Sequence, residues 1–155
     1  MEDFLPGTRF NRILVDEPLC EEPSQATRLL FCSGRLWLDL IERRDEEPEA
    51  TKGVVLVRLE QIAPFPYDLV SNALEKYRDA ELIWAQEEPI NAGAWAYVQP
   101  RIDLAATRAD VAVGPRAVPR QVRYVGRMPS SAPATGLFEL HQLELRDVLN
   151  EAMPI

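Results

Sequence analysis

The spacing of apolar positions changes several times along this chain of 155 residues, and each change marks an element. Residues 1–27 are Pro-, Glu- and polar-rich with one short apolar run, Ile13-Leu14-Val15. This predicts an N-terminal arm holding at most one edge strand. Arg28–Cys32 is a continuous apolar run closed by Ser33-Gly34, the pattern of a strand buried on both faces. Leu36, Trp37, Leu40 and Ile41 then recur at helical spacing with Arg43, Arg44 and Asp45 opposite. An acidic, Pro-containing loop is expected over residues 46–53.

The unit repeats. Residues 54–57 predict the next strand, Pro64-Phe65-Pro66 an extended approach, and residues 67–77 a helix carrying Leu69, Val70, Ala73 and Leu74. Residues 81–86 predict a third strand ending in a tight acidic turn at Glu87-Glu88, with Pro89 as the stop. A third helix is expected over 93–102, ended or kinked by Pro100. Residues 105–120 show no clean period and read as an irregular excursion. A last strand over 121–125, a loop over 126–136 and a closing helix over 138–152 complete the chain. That helix has Phe138, His141, Leu145, Val148, Leu149 and Ala152 along one stripe. Strands alternating with helices imply parallel pairings with right-handed crossovers, hence an α/β fold as a three-layer α/β/α sandwich. The organisation expected is an arm, 1–27, and one α/β domain, 28–155.

Composition narrows the function classes. A hydrophobic share of 46% and a charged share of 27% are those of an ordinary globular domain. A net charge of −8 argues against a general binder of nucleic acid or anionic membrane, which needs a basic surface. No apolar run approaches the roughly 18 residues of a membrane span. The start, MEDFLPGTRF, shows no signal peptide; an upstream targeting segment stays open. Cys20 and Cys32 make no disulfide framework. A single histidine leaves few ways to build a His-rich metal site or a nucleophile–base pair.

Each candidate chemical feature has a plainer structural alternative. Neither G-x-G-x-x-G after a strand nor a phosphate-binding G-x-x-x-x-G-K-[ST] is present. Glu87 and Glu88 suggest an acid/base pair, but strand neighbours face opposite ways, so helix capping or pairing with an arginine is the preferred reading. Arg127 and the loop 130–136 could cradle an anion on backbone N–H groups; a salt bridge from Arg127 to Glu87 or Glu88 is the structural reading. His141 on an apolar stripe reads as a core or interface residue. Cys32-Ser33-Gly34 lacks the leading glycine of a nucleophile elbow. Trp84 is expected in the core, whereas Trp95 and Tyr97 suit a contact surface.

Four blocks carry a family resemblance: LLFCSGRLWLDL (29–40), RLEQIAPFP (58–66), WAQEEPINAGAW (84–95) and YVGRMPSSAPATG (124–136) leading to His141. From about residue 5 to residue 152 the chain resembles the C-terminal domain of 2-oxoglutarate dehydrogenases, the thiamine-diphosphate-dependent first component of the oxoglutarate dehydrogenase complex. The opening Leu5-Pro6-Gly7-Thr8 resembles the mitochondrial members. The resemblance implies a transketolase C-terminal-like domain with a mostly parallel five-stranded sheet, its one antiparallel strand near Ile13. It implies no catalytic, cofactor or metal residue in this segment, since thiamine diphosphate and magnesium bind in the preceding domains. The implied work is to pack on those domains and support a homodimer. The implied complex partners are dihydrolipoyl succinyltransferase and dihydrolipoyl dehydrogenase, in the mitochondrial matrix, or in the cytoplasm of a bacterium.

On that reading Gln61, Glu87, Glu88, Asn91, Gly93, Trp95, Arg127 and His141 are interface or structural candidates. An acetyl-CoA activator site of actinobacterial members matches Gln61, but Asp68 and Leu69 stand where that site has arginines. Two alternatives stay open. One is a 2-oxoadipate dehydrogenase; the other is a free-standing flavodoxin-like module binding an anionic ligand at 126–136, or a protein partner.

Overall fold

A computed structural model describes residues 5–114 and 116–154. Five strands, β1 (Ile13–Asp16), β2 (Arg28–Cys32), β3 (Val54–Leu59), β4 (Glu81–Pro89) and β5 (Arg123–Arg127), form one sheet in the order β1-β3-β2-β4-β5. β1 runs antiparallel to β3, and every other pairing is parallel. The helices are α1 (Leu36–Glu46), α2 (Pro48–Thr51), α3 (Tyr67–Lys76), α4 (Trp95–Val113) and α5 (Phe138–Ala152). None is long and apolar enough to cross a membrane.

Strand alternation divides the core into two layers. Leu29, Phe31, Val55, Val57, Leu82 and Trp84 pack beneath α3 and α4. Leu30, Cys32, Leu56, Ile83, Ala85 and Val125 face α1 and α5. The result is the expected α/β/α sandwich with a mixed five-stranded sheet, and the strand around Ile13 is the antiparallel one at its edge.

Several expectations need correction. β4 does not stop at Gln86 but continues through Glu87 and Glu88 to Pro89, with a register irregularity between Ala85 and Pro89 where β5 pairs with it. The acidic pair therefore stands on a strand rather than in a tight turn. The expected loop over 46–53 includes the short helix α2, whose Thr51 hydroxyl donates back to the Glu47 carbonyl at 2.8 Å.

The largest difference is α4, which runs 19 residues, through Pro100 and on to Val113. Pro100 lacks the N–H that would bond to the carbonyl of Ala96, and Ala96 is exposed, so water can serve that carbonyl instead. Val98, Ile102, Ala105, Ala106 and Ala109 are all buried, a helical stripe that fixes the element despite the proline. The residue that broke the apparent period, Asp110, is buried against Arg120 at 2.8 Å. Arg120 also donates to the Leu74 and Tyr77 carbonyls at 3.1 and 3.2 Å, serving the open end of α3. Pro115, part of the expected excursion, lies outside the described residues. The last strand is Arg123–Arg127, two residues later than expected.

Candidate functional site

In a mostly parallel sheet the C-terminal strand ends gather the loops that carry function. The ends of β4 and β5 lie side by side and are tied together. Ile90 N–H donates to the Arg127 carbonyl at 3.1 Å. Asn91 Nδ2 donates to the Ser130 carbonyl at 2.9 Å, and Ser130 N–H returns to Asn91 Oδ1 at 3.0 Å. Tyr124 Oη lies 3.0 Å from the Glu88 carbonyl and 2.9 Å from that of Arg127, clasping both strand ends. Burial pushes the Tyr124 hydroxyl up to about 12, so it stays a donor across the physiological range.

On the α4 face this edge is organised by Gln86, which the sequence reading passed over. Its Oε1 accepts from Trp84 Nε1 at 2.9 Å and from the Trp95 N–H at 3.0 Å, the latter at the first residue of α4. Its Nε2 faces the carbonyls of Glu88, Pro89 and Ala92 at 3.1, 3.2 and 2.9 Å. One buried amide thus sets the turn between β4 and α4. Trp84 is fully buried, as expected. Trp95 is half-buried against Tyr124, ring centroids 5.2 Å apart, and Tyr97 carries the Arg101 guanidinium 3.5 Å above its ring. Both aromatics therefore have partners within the domain before any outside contact is made. A signal for Gln86 was present, since it is the one polar residue on the buried side of the run Leu82-Ile83-Trp84-Ala85-Gln86.

Strand alternation turns Glu87 to the α5 face, beside Arg127. Arg127 does not pair with Glu87 or Glu88, as the sequence suggested. Its Nε lies 2.8 Å from Glu144 Oε2 in α5, and its Nη1 donates to the Pro133 carbonyl at 3.3 Å. Thr135 Oγ1 donates to the same Glu144 carboxylate. Nothing in the sequence singled out Glu144; only the packing of α5 against β5 brings it there. Arg127, Glu87, Thr135 and His141 border a cavity of about 490 Å³, with the exposed Glu88 at its outer margin. Among the described residues Glu87 and His141 have no side-chain partner. His141 begins the packed stripe of α5; Phe138, expected on that stripe, is 75% exposed.

The structure thus brings Glu87, Glu88, Asn91, Gly93, Trp95, Arg127 and His141 to one edge and leaves Gln61 apart. Gln61 donates from Nε2 to the Pro64 carbonyl at 2.7 Å, and its N–H meets the Arg12 carbonyl at 3.0 Å. Nearby, Asp68 is held by both ends of the Arg12 guanidinium at 2.9 and 2.5 Å. Arg12 keeps the Asp68 carboxyl below its usual range. Cys32 is fully buried, which raises its thiol to about 12 and leaves it no nucleophilic thiolate.

Arg127 is matched by Glu144, and Gln86, Asn91 and Tyr124 are spent on the backbone, whereas among the described residues Glu87, Glu88 and His141 have no side-chain partner. Among the described residues no three His, Cys, Asp or Glu side chains converge on a metal position. What the edge provides is a rigid, polar and aromatic surface.

The family model described as 2-oxoglutarate dehydrogenase C-terminal matches residues 1–153. The chain belongs to that family. It is 39% identical over 156 residues to the mitochondrial 2-oxoglutarate dehydrogenase of Caenorhabditis briggsae, covering 100% of this chain and 14% of the relative. The mitochondrial 2-oxoglutarate dehydrogenase-like protein of Rattus norvegicus is 38% identical over 152 residues, 97% of this chain and 14% of that protein. A probable 2-oxoadipate dehydrogenase complex component E1 homolog of Dictyostelium discoideum is 33% identical over 153 residues, 98% of this chain and 16% of that protein. The chain spans about one seventh of the length of the first two relatives, matching their 14% coverage.

Proposed function

We propose that this chain is the C-terminal domain of a 2-oxoglutarate dehydrogenase, a mitochondrial matrix enzyme (cytoplasmic in a bacterium). That enzyme oxidatively decarboxylates 2-oxoglutarate and passes the succinyl group to the lipoyl group of its acyltransferase partner. The observation that carries the reading is the family match over residues 1–153, combined with relatives of which this segment is a small share. The domain's part is structural: residues 28–155, with the edge strand of the arm 1–27, pack on the preceding domains and support the homodimer. Gln61, Glu87, Glu88, Asn91, Gly93, Trp95, Arg127 and His141 serve this scaffold and its contacts.

The residues at the β4–β5 edge do not fit thiamine diphosphate, and among the described residues no three His, Cys, Asp or Glu side chains converge to hold magnesium. Arg127 is neutralised by Glu144, and the unmatched side chain beside it is a carboxylate, which repels a diphosphate. Those groups belong to the preceding domains of the longer enzyme, and the contacts with dihydrolipoyl succinyltransferase and dihydrolipoyl dehydrogenase belong to the assembled complex. The test is direct. Purified alone, the 155-residue chain should turn over neither 2-oxoglutarate nor 2-oxoadipate with an artificial electron acceptor, whereas the full-length protein should prefer 2-oxoglutarate. Turnover by the chain alone would overturn the structural role; preference for 2-oxoadipate would move the enzyme to the sister family.

A further inference from the structure

The cavity between β4, β5 and α5 has two carboxylates that no cation matches, the half-buried Glu87 and, at its margin, the exposed Glu88. Arg127 and Glu144 neutralise each other at 2.8 Å, whereas the half-buried Glu87 carboxylate faces the same space with no cation. Beside it the chain exposes a run of large apolar side chains where α5 begins: Leu137 is 70%, Phe138 75% and Leu140 43% exposed. Phe138 is one helical turn from His141, which lines the cavity, so collar and cavity adjoin. A surface of this kind, apolar residues around a polar recess, is what protein interfaces bury.

Covering it has an electrostatic consequence. A partner that buries Leu137 and Phe138 also takes water away from Glu87. A carboxylate desolvated without a partner is strongly unfavourable, and a cation on the covering surface is the partner that keeps its charge matched. An anion is excluded by the same carboxylate and by Glu88 at the margin. A cavity of about 490 Å³ has room for the end of one long side chain.

We infer that Glu87 is the socket for an arginine or lysine side chain presented by an apolar surface of another part of the same full-length enzyme. The inference rests on the interface role proposed above and names its chemistry. His141 borders the socket and presents its ring beside the incoming side chain. The Gln86 and Tyr124 clasps hold the strand end that carries Glu87, so the socket is formed before the partner arrives.

The test uses the full-length enzyme with a photo-cross-linking phenylalanine analogue at position 140. The expected product joins this position to a segment outside residues 1–155 that carries an arginine or lysine beside apolar residues. Glu87→Gln, the same shape without the charge, should lower the cross-link yield about tenfold or more, and Glu49→Gln, at an exposed carboxylate far from the cavity, should leave it unchanged. A cross-link that forms equally well in Glu87→Gln would overturn the socket and leave the interface role standing. No cross-link to any segment outside this domain would overturn both.

Discussion

The amide of Gln86 and the backbone of Gly93 lie against each other: a Cβ added at Gly93 would sit 2.9 Å from Gln86 Nε2. Gly93 also has φ +64°, in the left-handed region, so both space and conformation demand glycine. The turn from β4 into α4 is therefore set by two residues seven apart, one supplying hydrogen bonds and the other leaving room for them.

Gly93→Ala should lower stability by about 1–3 kcal/mol through strain and displacement of the amide. Gln86→Leu should cost about as much, since it leaves the buried Trp84 Nε1 without its acceptor. Urea unfolding of both single variants and the double variant checks this. The double should cost less than the sum of the singles, because either change already breaks the same network.

Arg120→Ala should be more severe. Arg120 and Asp110 are 8% and 5% exposed, and removing the arginine strands a buried carboxylate along with two carbonyls of α3. A loss of about 3–5 kcal/mol is expected. Thermal unfolding of Arg120→Ala beside Arg120→Met, which restores the packed stem but not the charge, separates volume from charge: both variants should be strongly destabilised.

The ends of the pH range should act through different side chains. Hydrogen bonds from Lys76, then Tyr77, hold the Glu17 carboxyl below its ordinary value of 4.5. A depressed carboxyl contributes stability above its unfolded value and loses it as pH falls through its folded value, so the melting temperature should decline in acid below about pH 4.5. Glu17→Gln should flatten that decline. Asp68, lowered by Arg12, adds to the same acid limb.

At the alkaline end Tyr124 works in the opposite sense. Burial raises its hydroxyl from 10.0 to about 12, so the protonated, folded form is favoured and its stabilisation is complete below pH 10. Stability should then fall between pH 10 and about 12 as the hydroxyl that clasps Glu88 and Arg127 ionises. Tyr124→Phe should be less stable at pH 7 yet show a shallower alkaline loss, measured by thermal melts across that range.

Trp95→Ala should weaken assembly of the full-length enzyme while leaving the domain folded. Its packing on Tyr124 adds a local cost of about 0.5–1.5 kcal/mol. Sedimentation of the enzyme at several concentrations, paired with a melt of the isolated chain, distinguishes the two effects. Unchanged association would exclude Trp95 from the interface.

Periodicity alone was enough to locate most of the fold. Arg28–Cys32 and Phe138–Ala152 are found where the apolar pattern placed them, because a doubly buried strand and a one-sided helix write their geometry directly into residue spacing. The short run at Ile13-Leu14-Val15 was enough to mark the edge strand. What local pattern could not reveal depends on partners distant in the chain. Pro100 and Asp110 look like interruptions until tertiary packing supplies a buried stripe for α4 and Arg120 for the aspartate. Glu87-Glu88 looks like a turn until β5 extends β4 to Pro89. The choice of Glu144 rather than Glu87 as the partner of Arg127 is the clearest case. It is made by how α5 lies across β4 and β5, a relation between elements that no residue spacing encodes, and it leaves Glu87 unmatched at the edge.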